Sequence, residues 1–197
     1  MTRSAEIRRD TRETKIALKL DIEGDGKGVI DTGCGFLNHM LELFTRHGNF
    51  HLDVTCDGDT DVDYHHTTED IGIALGEAFH QALGERRGIY RYADITLPMD
   101  EVLMLCAVDI SGRSYLGFDA EMPQAKVGDF DSELVKDFFL GFVRKADVTL
   151  HFKEFAGENT HHVIEAMFKA FGRALREAVS IDESLGGEIP STKGVLV

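Results

Sequence analysis

Between Thr14 and Glu23 the side chains alternate, with Ile16, Leu18, Leu20 and Ile22 set against Lys15, Lys19, Asp21 and Glu23. A period of two puts the four apolar groups on one face, so this segment is predicted as a half-buried strand. The run Gly24-Asp25-Gly26-Lys27-Gly28 turns the chain into a short strand over Val29–Thr32, and Gly33-Cys34-Gly35 leads to a helix predicted over 37–47. Phe50, Leu52, Val54 and Cys56 alternate again as a strand, which Asp57-Gly58-Asp59 breaks before a long helix over residues 66–84. Three short strands are predicted over 93–119, with Pro98 and Ser111-Gly112-Arg113 as the turns, then helix 132–146, strand 148–155 and helix 160–179. Strands, helix, strand, helix recur in that order. The pattern predicts an α+β fold of internally duplicated half-domains, residues 1–92 and 93–197, each a small mixed sheet covered on one face by helices.

The duplication is visible residue by residue. Sliding 65–82 onto 161–178, an offset of 96, superposes His65 on His161, His66 on His162 and Glu69 on Glu165. It also pairs Ala74 with Ala170, Gly76 with Gly172, Ala78 with Ala174 and Phe79 with Leu175. Upstream the offset is 98, where Phe44 falls on Phe142, Arg46 on Arg144, Leu52 on Leu150 and His39 on Asp137. A fixed self-similarity of this length marks two copies of one structural unit.

Composition narrows the function classes. The chain has 197 residues, 43% hydrophobic and 28% charged, a length that suits one domain or two small units sharing a core. A net charge of −14 argues against nucleic acid, although Arg3, Arg8, Arg9 and Arg12 cluster near the start. Cys34, Cys56 and Cys106 form no CxxC unit and are odd in number, which fits reduced thiols in the cytoplasm. The longest apolar run, Val102–Val108, is far too short to span a bilayer, and the N-terminus lacks a signal-peptide core.

Against this background the two His-His-x-x-Glu units stand out. On a helix each histidine lies three or four residues before the glutamate, so imidazole and carboxylate share a face, while the paired histidines point about 100° apart. Two copies therefore predict two ions. A set of nitrogen and oxygen donors without cysteine suits Mn, Fe, Zn or Ni in an open, catalytic site, and binding should weaken below about pH 6 as the imidazoles protonate. Lys169, four residues after Glu165, is either its helical ion-pair partner or a group that neutralises an anionic substrate. Arg91 and Arg113, near strand ends, are candidates for phosphate. Residues 180–197 are Gly-rich without a period, which is compatible with a disordered tail, while Pro190-Ser191-Thr192-Lys193-Gly194 favours an ordered anion-binding loop. It is not a Walker A loop. On spacing alone a metal-dependent enzyme, such as a dinuclear metallohydrolase, and a metal-storage shell both remain open.

Gly35-Phe36-Leu37-Asn38-His39-Met40-Leu41, Asp63-Tyr64-His65-His66-Thr67-Thr68-Glu69-Asp70 and Gly157-Glu158-Asn159-Thr160-His161-His162, together with Glu165–Phe171 and the terminal Pro-Ser-Thr-Lys-Gly, resemble the imidazoleglycerol-phosphate dehydratases of histidine biosynthesis. The resemblance runs from about Arg8 to the C-terminus. It implies a homo-oligomer of twenty-four subunits with two manganese ions per active site at subunit interfaces. The ligands it implies are His39, His65, His66, Glu69, His161, His162 and Glu165; an eighth, often His, falls on Asp137. It assigns the base to Glu13 and phosphate binding to Arg91, Arg113, Lys169, Ser191 and Lys193. The implied reaction expels the hydroxyl beside the imidazole through a diazafulvene, then removes the neighbouring proton to give an enol and finally a ketone. No nucleic-acid or membrane partner is expected.

Overall fold

The computed structural model describes residues 3–196; Met1, Thr2 and Val197, the outer ends of the two expected half-domains, lie outside them. The first half contains β1 (Ser4–Asp10), β2 (Thr14–Asp21), β3 (Ile30–Asp31), α1 (Gly35–Gly48), β4 (His51–Gly58) and α2 (His65–Leu83). The second contains β5 (Tyr92–Met99), β6 (Val102–Asp109), β7 (Tyr115–Asp119), a small hairpin of β8 (Lys126–Val127) and β9 (Phe130–Asp131), then α3 (Leu134–Ala146), β10 (Thr149–Ala156) and α4 (Thr160–Val179). The sheets have the same plan. One has strand order β1-β2-β4-β3 and the other β5-β6-β10-β7, antiparallel except for the last pair in each, which is parallel.

Each long helix lies on its own sheet, α2 against β1 and β2, and α4 against β5 and β6. The helices also pair across the duplication, α2 with α3 and α1 with α4. The repeated residues explain this exchange. A Cβ on Gly76 would stand 2.4 Å from the Phe142 carbonyl oxygen, and one on Gly172 would stand 2.5 Å from that of Phe44. Only hydrogen lets these backbones approach so closely. Phe44, Phe139 and Phe142 surround Phe171 with ring centroids 4.9–5.2 Å apart, so the two halves share one aromatic core.

Three features depart from the predicted elements. β1 is an edge strand built from Ser4-Ala5-Glu6-Ile7-Arg8-Arg9-Asp10, of which Ile7 alone is buried, so alternation is too faint to read. Its charged side chains suit an unpaired edge. Pro98 lies inside β5, opposite Leu103, and the turn falls instead at Asp100-Glu101, with Asp100 at φ 47°. The proline is tolerated because β5 is an edge strand and needs no donor there. The β8–β9 hairpin has strands of two residues each, too short to leave a periodic signal in the sequence.

The segment after α4 is tied back to the fold. Ile89 bridges Ile181, Gly88 N donates to Glu188 O at 2.8 Å, and Arg91 Nη1 donates to Pro190 O at 2.9 Å.

Candidate metal centre and active site

Both histidine pairs occupy the first turn of their helices, where backbone N–H groups lack intrahelical acceptors. Asn159 caps α4 by accepting from His161 N and His162 N, and Asp63 Oδ1 accepts from His65 N at 2.7 Å at the start of α2. These bonds hold the backbone from which each pair of imidazoles projects. His65 and His66 have ring centroids 6.0 Å apart at 89°, and His161 and His162 are 6.2 Å apart at 77°, so the members of a pair face different surroundings.

The first histidine of α4 meets a ligand from the other half of the chain. His39 on α1, His161 and Glu165 bring donor atoms within 4.8 Å of one another. Glu165 Oε2 lies 3.7 Å from His39 Nε2 and 3.4 Å from His161 Nε2. Two imidazole nitrogens and a carboxylate oxygen form a donor set that fits a borderline divalent cation. Burial raises the pKa of the Glu165 carboxyl, but Lys169, whose Nζ lies 2.6 Å from Oε1, holds it below its ordinary value, so the carboxylate is charged.

The duplicated site on α2 is similar but not identical. His65 Nε2 lies 3.7 Å from Glu69 Oε2, whereas Asp137 Oδ2 lies 3.8 Å from His65 Nδ1, on the opposite side of the ring. Asp137 therefore occupies the place of His39 on the helix and a different place around the imidazole.

His66 and His162 face elsewhere, each towards a carboxylate. His66 Nδ1 is 2.9 Å from Asp59 Oδ2, and His162 Nδ1 is 2.9 Å from Glu101 Oε2. These hydrogen bonds raise both imidazole pKa values above the ordinary one. Glu13 Oε1 lies 3.7 Å from His66 Nε2 and accepts no hydrogen bond among the described residues. Its backbone is pinned. Glu13 N donates to Thr11 Oγ1 at 3.1 Å, Asp59 N donates to Glu13 O at 3.0 Å, and Thr14 Oγ1 donates to the buried Asp70 at 2.6 Å. A free carboxylate on a fixed turn beside a ring nitrogen is well placed to take a proton.

The phosphate candidates are not gathered at one point within the chain. Arg91 is buried and forked onto Asp109 at 2.7 and 3.3 Å, with its third contact on Pro190 O. It has a backbone φ of 74°, a left-handed conformation that costs a non-glycine residue free energy. Lys169 is paired with Glu165, Nζ to Oε1 at 2.6 Å, one of the two readings its helical spacing allows. Arg113 and Lys193 are exposed, and Ser191 Oγ accepts from Lys193 N at 3.2 Å. Asp59 and Glu101 were not identified from sequence: Asp59 lay in a strand-breaking turn, and Glu101 in what looked like the middle of a strand region. Asp59 directly follows the strand that leads into α2, which is a signal available in sequence, whereas nothing local marks Glu101 in the turn between β5 and β6.

A family profile described as imidazoleglycerol-phosphate dehydratase matches residues 32–175. The chain is 54% identical to the imidazoleglycerol-phosphate dehydratase of Xanthobacter autotrophicus over 194 residues, covering 98% of each. It is 53% identical over 194 residues to that of Caldicellulosiruptor saccharolyticus, again with 98% of each covered. The crystal structure of the Staphylococcus aureus enzyme of that name is 41% identical and superposes with a TM-score of 0.83, covering 91% of this chain and 99% of the other. The Pyrococcus furiosus structure, in complex with (S)-C348, is 39% identical with a TM-score of 0.84, covering 96% and 100%.

Proposed function

Because the chain belongs to the imidazoleglycerol-phosphate dehydratase family, whose members are hydro-lyases, we propose that it converts D-erythro-imidazole glycerol phosphate to imidazole acetol phosphate in histidine biosynthesis, with two manganese ions per active site. The observation that carries the metal reading is the convergence of His39, His161 and Glu165 from opposite halves of the chain. His65 with Glu69 would hold the second ion. The metal would supply positive charge beside the substrate's imidazole nitrogens, stabilising the negative charge that builds up there as the hydroxyl is expelled.

The chain's own residues carry the remaining steps. Glu13 takes the proton from the carbon next to the one that loses hydroxide. Its exposed carboxylate is held at the turn by Thr11 and by the Thr14–Asp70 bond, so the acceptor stays near His66 while its oxygens remain free. The elimination releases one water. The enol that remains becomes the ketone by moving its hydroxyl proton to carbon. Arg91, Arg113, Lys169, Ser191 and Lys193 bind the phosphate, and Arg91 also holds the C-terminal segment through Pro190 and so sets where Ser191 and Lys193 stand.

His66 and His162 turn away from the ligand trio on their own chain, so a complete centre takes one of them from a second copy. This supports assembly into a large homo-oligomer, with twenty-four subunits as the expected number. Tyr90, Tyr92, Tyr115 and Phe155, each more than half exposed in the single chain, are surfaces that such an assembly would cover. A cytoplasmic location fits the free thiols. None of the described helices is long and apolar enough to cross a membrane.

The test is turnover by metal-stripped protein given imidazole glycerol phosphate, with manganese added back. Manganese-dependent ketone with phosphate retained is the expected result; free inorganic phosphate would identify a hydrolase instead. Glu13→Gln should keep its assembly and its manganese but lose about 10²–10⁴ in kcat. Full turnover in that variant would remove Glu13 from the mechanism.

A further inference from the structure

The two halves solve the same problem with different residues. In the sheets, Asp21 faces His51 and Asp109 faces Thr149. His51 and Thr149 are counterparts at the offset of 98, so Asp21 and Asp109 are counterparts too, which places β2 on β6 at an offset of 88. Glu13, one residue ahead of β2, therefore falls on Glu101, one residue ahead of β6.

The counterparts act differently. Glu101 holds His162 Nδ1 with its two oxygens at 3.2 and 2.9 Å. Asp59 holds His66 Nδ1 with its two oxygens at 3.2 and 2.9 Å, while Glu13 stands by Nε2 of the same ring. Asp59 comes from the connection 59–64 between β4 and α2. The matching connection between β10 and α4 is only 157–159, and its one carboxylate, the exposed Glu158, makes no hydrogen bond or ion pair with His162, whose Nδ1 is held by Glu101. A Cβ on Gly157 would meet Glu154 Oε1 at 2.6 Å and Val163 Cγ2 at 2.8 Å, and the Asn159 side chain is occupied capping α4. Glu101 is further fixed in place by accepting from Asn159 N at 3.1 Å.

We propose that Glu101 is a positioning residue: as the counterpart of Glu13 it orients His162 so that Nε2 faces a metal ion, a task that Asp59 performs for His66 and so leaves Glu13 free to act as the base. This rests on His66 and His162 being metal ligands. A carboxylate on Nδ1 fixes both the tautomer and the direction of the ring, and loss of such a partner lowers metal affinity about 10–100-fold. Glu101 sits at an exposed turn, so its replacement leaves the core untouched.

The experiment titrates manganese into metal-stripped full-length protein, following free Mn²⁺ by electron paramagnetic resonance. Wild type, Glu101→Ala, Glu101→Gln, Asp59→Ala and Glu13→Ala are compared, with ¹⁵N shifts reporting the His162 tautomer. We expect Glu101→Ala and Asp59→Ala each to weaken one class of site about 10–100-fold. Glu101→Gln, which keeps an acceptor for Nδ1–H, should recover part of the loss, and Glu13→Ala should bind as wild type does. Unchanged affinity and tautomer in Glu101→Ala would overturn the proposal, as would a Glu13→Ala loss as large as that of Asp59→Ala. If the wild type itself binds no manganese, the metal reading under Proposed function fails, which is a different outcome.

Discussion

Replacing Gly172 by Ala tests the helix exchange on which the proposed centre depends. The new Cβ would lie 2.5 Å from the Phe44 carbonyl oxygen and 3.0 Å from Gly48 N, and ordinary contact begins at 3.4 Å, so α1 and α4 must part by about 0.9 Å. The clash is with backbone, which cannot rotate away. Overpacking of this kind costs about 1–3 kcal/mol, offset by about 1 kcal/mol from the better helix propensity of Ala. With so deep an overlap we expect a net loss of about 1–2 kcal/mol. The same displacement would draw His39 away from Glu165, now 3.7 Å distant, and weaken manganese binding while sparing the α2 site. Urea unfolding of metal-free protein at fixed concentration measures the first effect, and manganese titration the second. Gly35→Ala, at the open start of α1 where a Cβ meets nothing within 4 Å, is the control and should not destabilise. A Gly172→Ala protein as stable as wild type, with both metal sites intact, would refute the reasoning.

Arg91→Ala leaves Asp109 without its guanidinium and unties Pro190; we expect a loss of about 2–3 kcal/mol and faster amide exchange over residues 181–190, read by mass spectrometry. A raised KM for the phosphate substrate should accompany it, since Ser191 and Lys193 follow directly. The thiols should be inert in the native state: burial raises all three, and Cys56, pushed up to about 11, is thiolate in only about one molecule per thousand at pH 8. Disulfide-exchange labelling should therefore be slow until denaturant is added, and rapid labelling of native protein would contradict the burial.

Much of this molecule was readable because the signal was carried by local spacing. The α4 limits match those predicted, the Ile16–Ile22 alternation and the His-His-x-x-Glu units are legible within a strand or a turn, and the Gly76–Gly172 match is legible from the repeat. What escaped notice depends on contacts between distant residues. Glu101 and Asp59 look like turn carboxylates until the sheet register brings them to an imidazole. The Asp137 position was matched to His39 by sequence, but which nitrogen of His65 it would face could be settled only by the packing of α2 on α3. β1, an edge strand covered with charge, carries almost no periodic pattern. The fork of Arg91 onto Asp109 and its hold on Pro190 cannot be seen without the fold.

The crossing of helices between halves sets a limit on how the molecule can be divided. A fragment ending near Arg91 would have α2 with its glycine face bare and α1 without the helix it lies against. Two such fragments could satisfy each other only by exchange, each lending its short helix to the long helix of its mate. Separately expressed halves of this chain should accordingly be unstable alone and complement each other when mixed. In that sense the single polypeptide is a dimer whose partners have been joined end to end.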